Sequence, residues 1–156
     1  MGITAAYMVP HPPLIVPAVG RGGEKDIAET TASYERVGQE IAKTAPDTIV
    51  IISPHSIMYG DYFHISPGEV AVGSFARFGA PQVNFSETYD KEFVVVLESR
   101  LYGDDFPGGT LGERDKELDH GTMVPLYFIR KYYKGGKIIR IGLSGLSLSD
   151  HYKLGI

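Results

Sequence analysis

Three histidines of this chain each follow an apolar run and lie in a turn-forming context that contains Pro or Gly. The contexts are VPHPP around His11, ISPHS around His55 and LDHGT around His120. Imidazole is the commonest side-chain metal ligand and the usual proton carrier near neutral pH. The three side chains could therefore form a metal site with a proton-transferring group, provided that the fold brings them together.

The elements that precede these residues predict how two of them would meet. Residues 3–9 are predicted as a first buried strand, residues 24–43 as a helix, and residues 48–52 as the clearest strand of the chain, short and β-branched. In such a β-α-β unit the C-terminal ends of both strands lie at one sheet edge, where open α/β sheets bind ligands. His11 and His55 are accordingly expected at the same edge.

The remaining chain continues the alternation of strands and helices. Two antiparallel strands are predicted over 62–65 and 70–75, followed by a helix over 89–101 with Phe93, Leu97 and Leu101 inward. A loop over 103–112 comes next. The chain then continues with a helix over 123–133, with Pro125 in its first turn, and a strand over 137–143. We expect an α/β fold with a central, mostly parallel sheet, helices on both faces and antiparallel additions.

Residues 1–156 are predicted to form a single domain. Ser149 and Asp150 are typical of a helix start, yet few residues follow them before Ile156. We therefore expect this domain to be truncated at its C-terminal end.

Composition limits the classes of partner. Of 156 residues, 43% are hydrophobic, which suffices for a core. The formal net charge of −4 argues against nucleic acid or a membrane as partner and favours a small molecule; a homo-oligomer stays open. Because there are no cysteines, histidine and carboxylate are the strong metal ligands that remain. The N-terminal prolines and the absence of an apolar run of ~18 residues predict a cytoplasmic protein.

Each histidine also has a purely structural interpretation. His11 could be a polar turn residue, and His120 a helix-entry residue with Asp119 as its cap. The competing interpretation of His120 is a general acid/base whose ring is oriented by a carboxylate or backbone partner. His64 is interpreted as a strand residue and His151 as a solvated helix start.

Two histidines do not complete a metal site. An oxygen-activating iron site takes two His and one carboxylate, and a catalytic zinc site takes three protein ligands. Several carboxylates lie near predicted turns without a context that singles one out: Asp61, Glu69, Glu87, Asp104, Asp105 and Glu113. The third ligand is either unrecognised among these residues or absent from them.

In this order, the three histidine contexts resemble the catalytic B subunit of class III extradiol ring-cleavage dioxygenases. Within that superfamily the resemblance is closest to the domains of the AmmeMemoRadiSam system, which are akin to Memo-type proteins. It spans most of the chain. The resemblance implies that His11 and His55 are ligands of a non-haem Fe(II), and that His120 is a catalytic proton donor. It also implies that a metal-binding carboxylate and a second acid/base His lie beyond Ile156.

The implied activity is the cleavage of a catechol-type aromatic ring with O2 as co-substrate, and a small aromatic molecule is the implied partner. Zn(II) is the alternative metal, because it would compete for the same ligands. Two other classes stay open. One is a zinc-dependent hydrolase that uses His11 and His55 as ligands, and the other is a non-enzymatic, Memo-like metal-binding or regulatory protein.

Overall fold

Residues 2–156 are described by the computed structural model and contain six β-strands and five α-helices. The strands are β1 (Thr48–Ser53), β2 (Phe63–His64), β3 (Val70–Phe75), β4 (Ala80–Thr88), β5 (Gly108–Gly109) and β6 (Lys137–Gly142). The helices are α1 (Pro17–Gly20), α2 (Ala28–Thr44), α3 (Lys91–Gly103), α4 (His120–Tyr132) and α5 (Leu148–Leu154). Short 3-10 turns cover Pro13–Ile15, Gly23–Ile27 and Ala76–Phe78.

β6 lies at the centre of the fold, and β1 pairs with it in parallel. Both strands are rich in isoleucine, whose branched side chain suits a pleated strand, but one face of β1 is open, with Val50 47% and Ile52 58% exposed. Single bridges join β6 to the neighbouring pairs, one from Ile65 to Ile141 and one from Tyr89 to Ile138. Those pairs are β2 with β5, which is parallel, and β3 with β4, which is antiparallel.

Helices cover both faces of β6, because successive side chains of a strand point to opposite faces. Ile138 packs into the larger core, to which α2 and α4 contribute. Ile139 and Ile141 pack on the other side with Val94 and Leu101 of α3. The predicted α/β class is confirmed, although the strands form three two-stranded pairs joined by single bridges.

The two helices nearest the histidines begin close to where the sequence places them. α2 starts at Ala28, after the 3-10 turn, and its Tyr34 stacks on Phe128 of α4 with ring centroids 4.5 Å apart. α4 starts at His120, three residues before the predicted start, because Asp119 caps it by accepting a hydrogen bond from the backbone N–H of Thr122. Pro125 consequently lies in the second turn rather than in the first.

The predicted first strand over residues 3–9 is wrong. The segment has no regular secondary structure, and Ile3 and Met8 are fully or almost fully exposed. The apolar residues of this segment predict burial, but they do not specify a strand with which it would pair. Within residues 2–156, β1 forms its hydrogen-bonded ladder with β6 instead. A strand requires such a partner for its backbone N–H and C=O groups.

The predicted hairpin between residues 62–65 and 70–75 is also wrong. β3 pairs with β4, whereas β2 runs parallel to the two-residue strand β5. The sequence does carry a signal for β4: polar and apolar residues alternate over residues 82–86 after a turn that ends at Gly79, where φ is 77°.

The inward face of α3 differs from the prediction by one residue. Asp90 caps the helix, and the buried stripe consists of Val94, Leu97 and Leu101, whereas Phe93 is 44% exposed. α5 likewise begins two residues earlier than predicted, with Ser147 as its cap. No helix within residues 2–156 is long and apolar enough to cross a membrane.

His64 lies in β2, as its interpretation as a strand residue predicted. Its side chain is buried, and its Nε2 has no hydrogen-bond partner among the described residues. Burial lowers the pKa of His64 below the ordinary value of 6.5, and the nearby Arg140 guanidinium lowers it further. The folded protein therefore favours the neutral ring.

We expect acidification to destabilise the fold partly through His64. Because the unfolded chain takes up a proton at this ring at a higher pH than the folded protein does, the free energy of unfolding should fall as pH drops below about 6.5. The substitution His64→Gln removes the titrating group and should flatten this part of the profile. Urea unfolding at a series of pH values between about 5 and 7.5 measures the effect. Identical pH profiles for the two proteins would contradict it.

Candidate metal centre

The structure brings His11, His55 and His120 together from three separate segments. His11 lies in the turn before the first 3-10 segment, His55 lies two residues after β1, and His120 is the first residue of α4. One ligand nitrogen from each ring falls within 4.8 Å of the other two. The Nε2 atoms of His11 and His55 are 2.9 Å apart. This cluster is the set of residues within 2–156 that could hold a metal ion.

The three rings are not equivalent in orientation. The rings of His11 and His55 meet edge to face, with centroids 4.8 Å apart and planes at 75°. The rings of His55 and His120 lie closer, at 3.9 Å, with planes only 33° apart. Two imidazoles that ligate one ion point their nitrogen atoms at it, whereas His120 lies partly across the face of His55. His11 and His55 thus meet at their Nε2 atoms, whereas His120 lies beside them.

Tyr34 fixes the backbone next to His11. Its hydroxyl donates a hydrogen bond to the carbonyl oxygen of Pro10, the residue before His11. The ring of Tyr34 is buried between α2 and α4, and this burial raises the pKa of its hydroxyl, which therefore stays protonated and able to donate. The position of His11 thus depends on the packing of two helices rather than on a preceding strand.

Asp119 joins the other two histidine segments. Its carboxylate accepts hydrogen bonds from the Ser53 hydroxyl and from both the backbone N–H and the hydroxyl of Thr122, with a longer contact of 3.4 Å from Ser56. These bonds use both oxygens of the Asp119 carboxylate. The carboxylate therefore caps α4 and does not hydrogen-bond the ring of His120. Asp119 is accordingly not a carboxylate partner that orients this ring.

His120 lies in an environment that favours its neutral form. Partial burial lowers its pKa below the ordinary 6.5, and the adjacent His55 and His11 lower it further, while Asp119 acts in the opposite direction. A neutral imidazole at pH 7 can accept a proton, as a general base must.

Besides Tyr34 and Ser53, sequence reasoning missed Phe78 and Arg140. Phe78, from the turn between β3 and β4, meets the ring of His120 edge to face, with centroids 5.4 Å apart. Arg140 of β6 holds the segment before α4: it donates to the carbonyl oxygens of Glu117 and Asp115, at 2.5 and 2.7 Å, and pairs with Glu113. The missed hairpin signal would have placed Phe78 at a turn, but no local pattern indicates the contacts of Arg140.

The other titratable candidates lie elsewhere. His64 is next to Tyr59, and the ring of His151, in α5, packs against Phe63 of β2. Four of the candidate carboxylates form ion pairs: Glu69 with Lys91, Glu87 with Arg130, Asp104 with Arg100 and Glu113 with Arg140. Within residues 2–156 no carboxylate joins the three histidines in the metal-binding group.

Comparison with known proteins agrees with this geometry. The family model described as the catalytic LigB subunit of aromatic ring-opening dioxygenase matches residues 5–156. Protein CA_C1420 of Clostridium acetobutylicum is 41% identical to this chain over 164 aligned residues, which cover 100% of this chain and 35% of that protein. The chain thus spans about a third of the length of this curated relative. It belongs to the family of the catalytic LigB subunit of aromatic ring-opening dioxygenases.

Proposed function

We propose that this protein is a non-haem Fe(II)-dependent extradiol dioxygenase that opens a catechol-type aromatic ring with O2. The observation that carries the proposal is the convergence of His11, His55 and His120, from three segments of a LigB-family chain, within 4.8 Å. Imidazole is a suitable ligand for Fe(II), and a proton carrier beside the metal is what ring cleavage needs.

The spacing of the two proposed ligand nitrogens is compatible with one shared ion. Two nitrogens bound to one metal at about 2.1 Å lie about 3.0–3.4 Å apart, and the Nε2 atoms of His11 and His55 are 2.9 Å apart. In the metal-free protein the same distance fits a hydrogen bond in which one neutral ring donates to the other.

A ferrous ion held by His11 and His55 would supply the electron transfer that couples oxidation of the catechol ring to reduction of dioxygen. His120 is proposed to accept the phenolic proton of the substrate at a ring nitrogen and to return a proton to the ring that is being opened. Its lowered pKa keeps it available as a base near neutral pH. Phe78 packs against His120 and would restrict water on that side.

A second candidate function is a zinc-dependent hydrolase. The observation that favours it is the composition of the cluster, since three histidines without a carboxylate are also a known set for catalytic zinc. In that case His120 would be the third ligand. The two candidates differ in the role of His120 and in the metal that supports activity.

We expect His11→Ala and His55→Ala each to abolish stoichiometric binding of Fe(II) or Zn(II), because each removes one of two proposed ligands. His120→Ala should retain the metal, since that ring lies across the face of His55. Anaerobic loading followed by elemental analysis gives the metal content of each variant.

His151→Ala is the matched control, because it removes a histidine from α5 and leaves the cluster intact. Wild-type metal content in the His11/His55 double variant would refute the ligand assignment. Loss of metal from His120→Ala would identify His120 as a ligand and favour the hydrolase.

We expect the Fe(II)-loaded protein to consume oxygen when catechol is added, and the Zn(II)-loaded protein to consume none, since zinc is redox-inert. His120→Ala should keep metal and catechol binding but lose at least about a hundredfold in turnover, the usual scale for a lost proton-transfer group. An oxygen electrode and the absorbance of the ring-opened product report both effects.

Full turnover by His120→Ala would show that this ring is structural. Hydrolysis of an ester by the zinc form, without oxygen uptake by the iron form, would support the hydrolase. No oxygen uptake with any catechol tested would favour a non-enzymatic metal-binding protein.

A further inference from the structure

The end of β1 and the start of α4 are joined by a single buried hydroxyl. Ser53, the last residue of β1, is completely buried. Its Oγ donates a hydrogen bond to Asp119 and accepts one from the backbone N–H of His55, with an N···O distance of 3.2 Å. A serine hydroxyl has one donor and two acceptor sites, so both bonds form at once.

The bonds of Asp119 exceed what a helix cap requires. Capping α4 needs one carboxylate oxygen to accept from the backbone N–H of Thr122. The bond from Ser53 comes from a residue 66 positions earlier in the chain, and the 3.4 Å contact from Ser56 comes from the same loop as His55. The carboxylate therefore connects the segment that carries His55 to the helix that begins with His120.

Gly121 shows that this connection leaves little free space. A Cβ placed on Gly121 would lie 2.5 Å from the Oγ of Ser53 and 3.2 Å from the Cδ2 of His55. The first distance is well inside van der Waals contact. The two segments are thus packed at a separation that only a residue without a side chain permits.

We propose that Ser53 and Asp119 are positioning residues for the histidine cluster: they hold the His55 segment against the first turn of α4 and so fix His55 relative to His120. The inference rests on the proposed function, because it takes the histidine cluster to bind a metal ion. Neither residue ligates or reacts, because their bonds go to a backbone N–H and to hydroxyls, not to imidazole nitrogens.

The test measures metal affinity and does not depend on catalytic activity. Titration of the metal-free protein with Co(II) or Zn(II) should show binding weakened about 10–100-fold in Ser53→Ala, the range typical for lost partners behind metal ligands. Asp119→Ser keeps a hydroxyl that can cap α4 but removes the carboxylate, whose Oδ1 accepts both from Ser53 and from the Thr122 N–H, so it should weaken binding similarly. The double variant of Ser53 and Asp119 should bind metal no more weakly than the single variant that has the lower metal affinity, because the two side chains act through one contact.

Ser147→Ala is the matched control. Ser147 also donates to an aspartate, Asp150, at the start of a helix, but this pair lies in α5 and is exposed. Its loss should leave metal affinity unchanged. If Ser53→Ala does not fold, Asp119→Ser carries the test, because serine retains the cap.

The nitrogen shifts of the histidine rings give a second measurement in the metal-free protein. The 15N NMR shifts of the His55 and His120 rings should change in Ser53→Ala and stay at the wild-type values in Ser147→Ala. Unchanged ring shifts together with unchanged metal affinity would overturn the inference, even if Ser53→Ala lowered the Tm. If the wild-type protein binds no metal, the proposed function fails, and the ring shifts alone decide on Ser53 and Asp119.

Gly121→Ala tests the same contact from the other side. The added methyl group should push Ser53 away, lower the Tm by roughly 5 °C and weaken metal binding. Gly103→Ala, at the end of α3, is the control, because a Cβ there would meet nothing within 4 Å. A Gly121→Ala variant with wild-type Tm and metal affinity would show that the two segments are not held as closely as proposed.

Discussion

The contact between the C-terminal end of β1 and the N-terminal end of α4 is the constraint on which the candidate site depends. A buried serine hydroxyl meets the side-chain carboxyl group of Asp119 there, and a carboxylate at a helix N-terminus is stabilised by the free N–H groups of the first turn. The charge of Asp119 therefore lies where the backbone favours it. Its bonds determine how far His55 and His120 are from each other.

The third histidine reaches the cluster through helix packing. α4 packs on α2 through Phe128 and Tyr34, and the Tyr34 hydroxyl holds the carbonyl of Pro10. A displacement of α4 would thus affect His120 directly and His11 through α2. One helix therefore couples all three imidazoles, so that substitutions in the α2–α4 interface should affect the cluster without touching it.

The approach to α4 is stabilised in a different way, by a buried charge. Arg140 is only 3% exposed, and its guanidinium is compensated by the carboxylate of Glu113 and by backbone carbonyls of the segment before Asp119. Burial of an arginine is costly unless its N–H groups are paired, and removal of partners would leave an uncompensated charge. The central strand β6 thereby anchors the loop that leads to His120, while His55 at the rim of the cluster is exposed to solvent.

The sequence by itself determined the elements with strong local patterns and the identity of the three histidines. The β-branched runs of β1 and β6, the apolar face of α2 and the Asp119 cap of α4 follow from periodicity and capping, which act over a few residues. The tertiary structure decided which segments are neighbours: β1 pairs with β6 rather than with residues 3–9, and β3 pairs with β4. It alone placed Tyr34, Ser53 and Phe78 at the histidines. An apolar pattern specifies that a face is buried but not against what, and a hydrogen bond between residues 66 positions apart leaves no trace in local sequence.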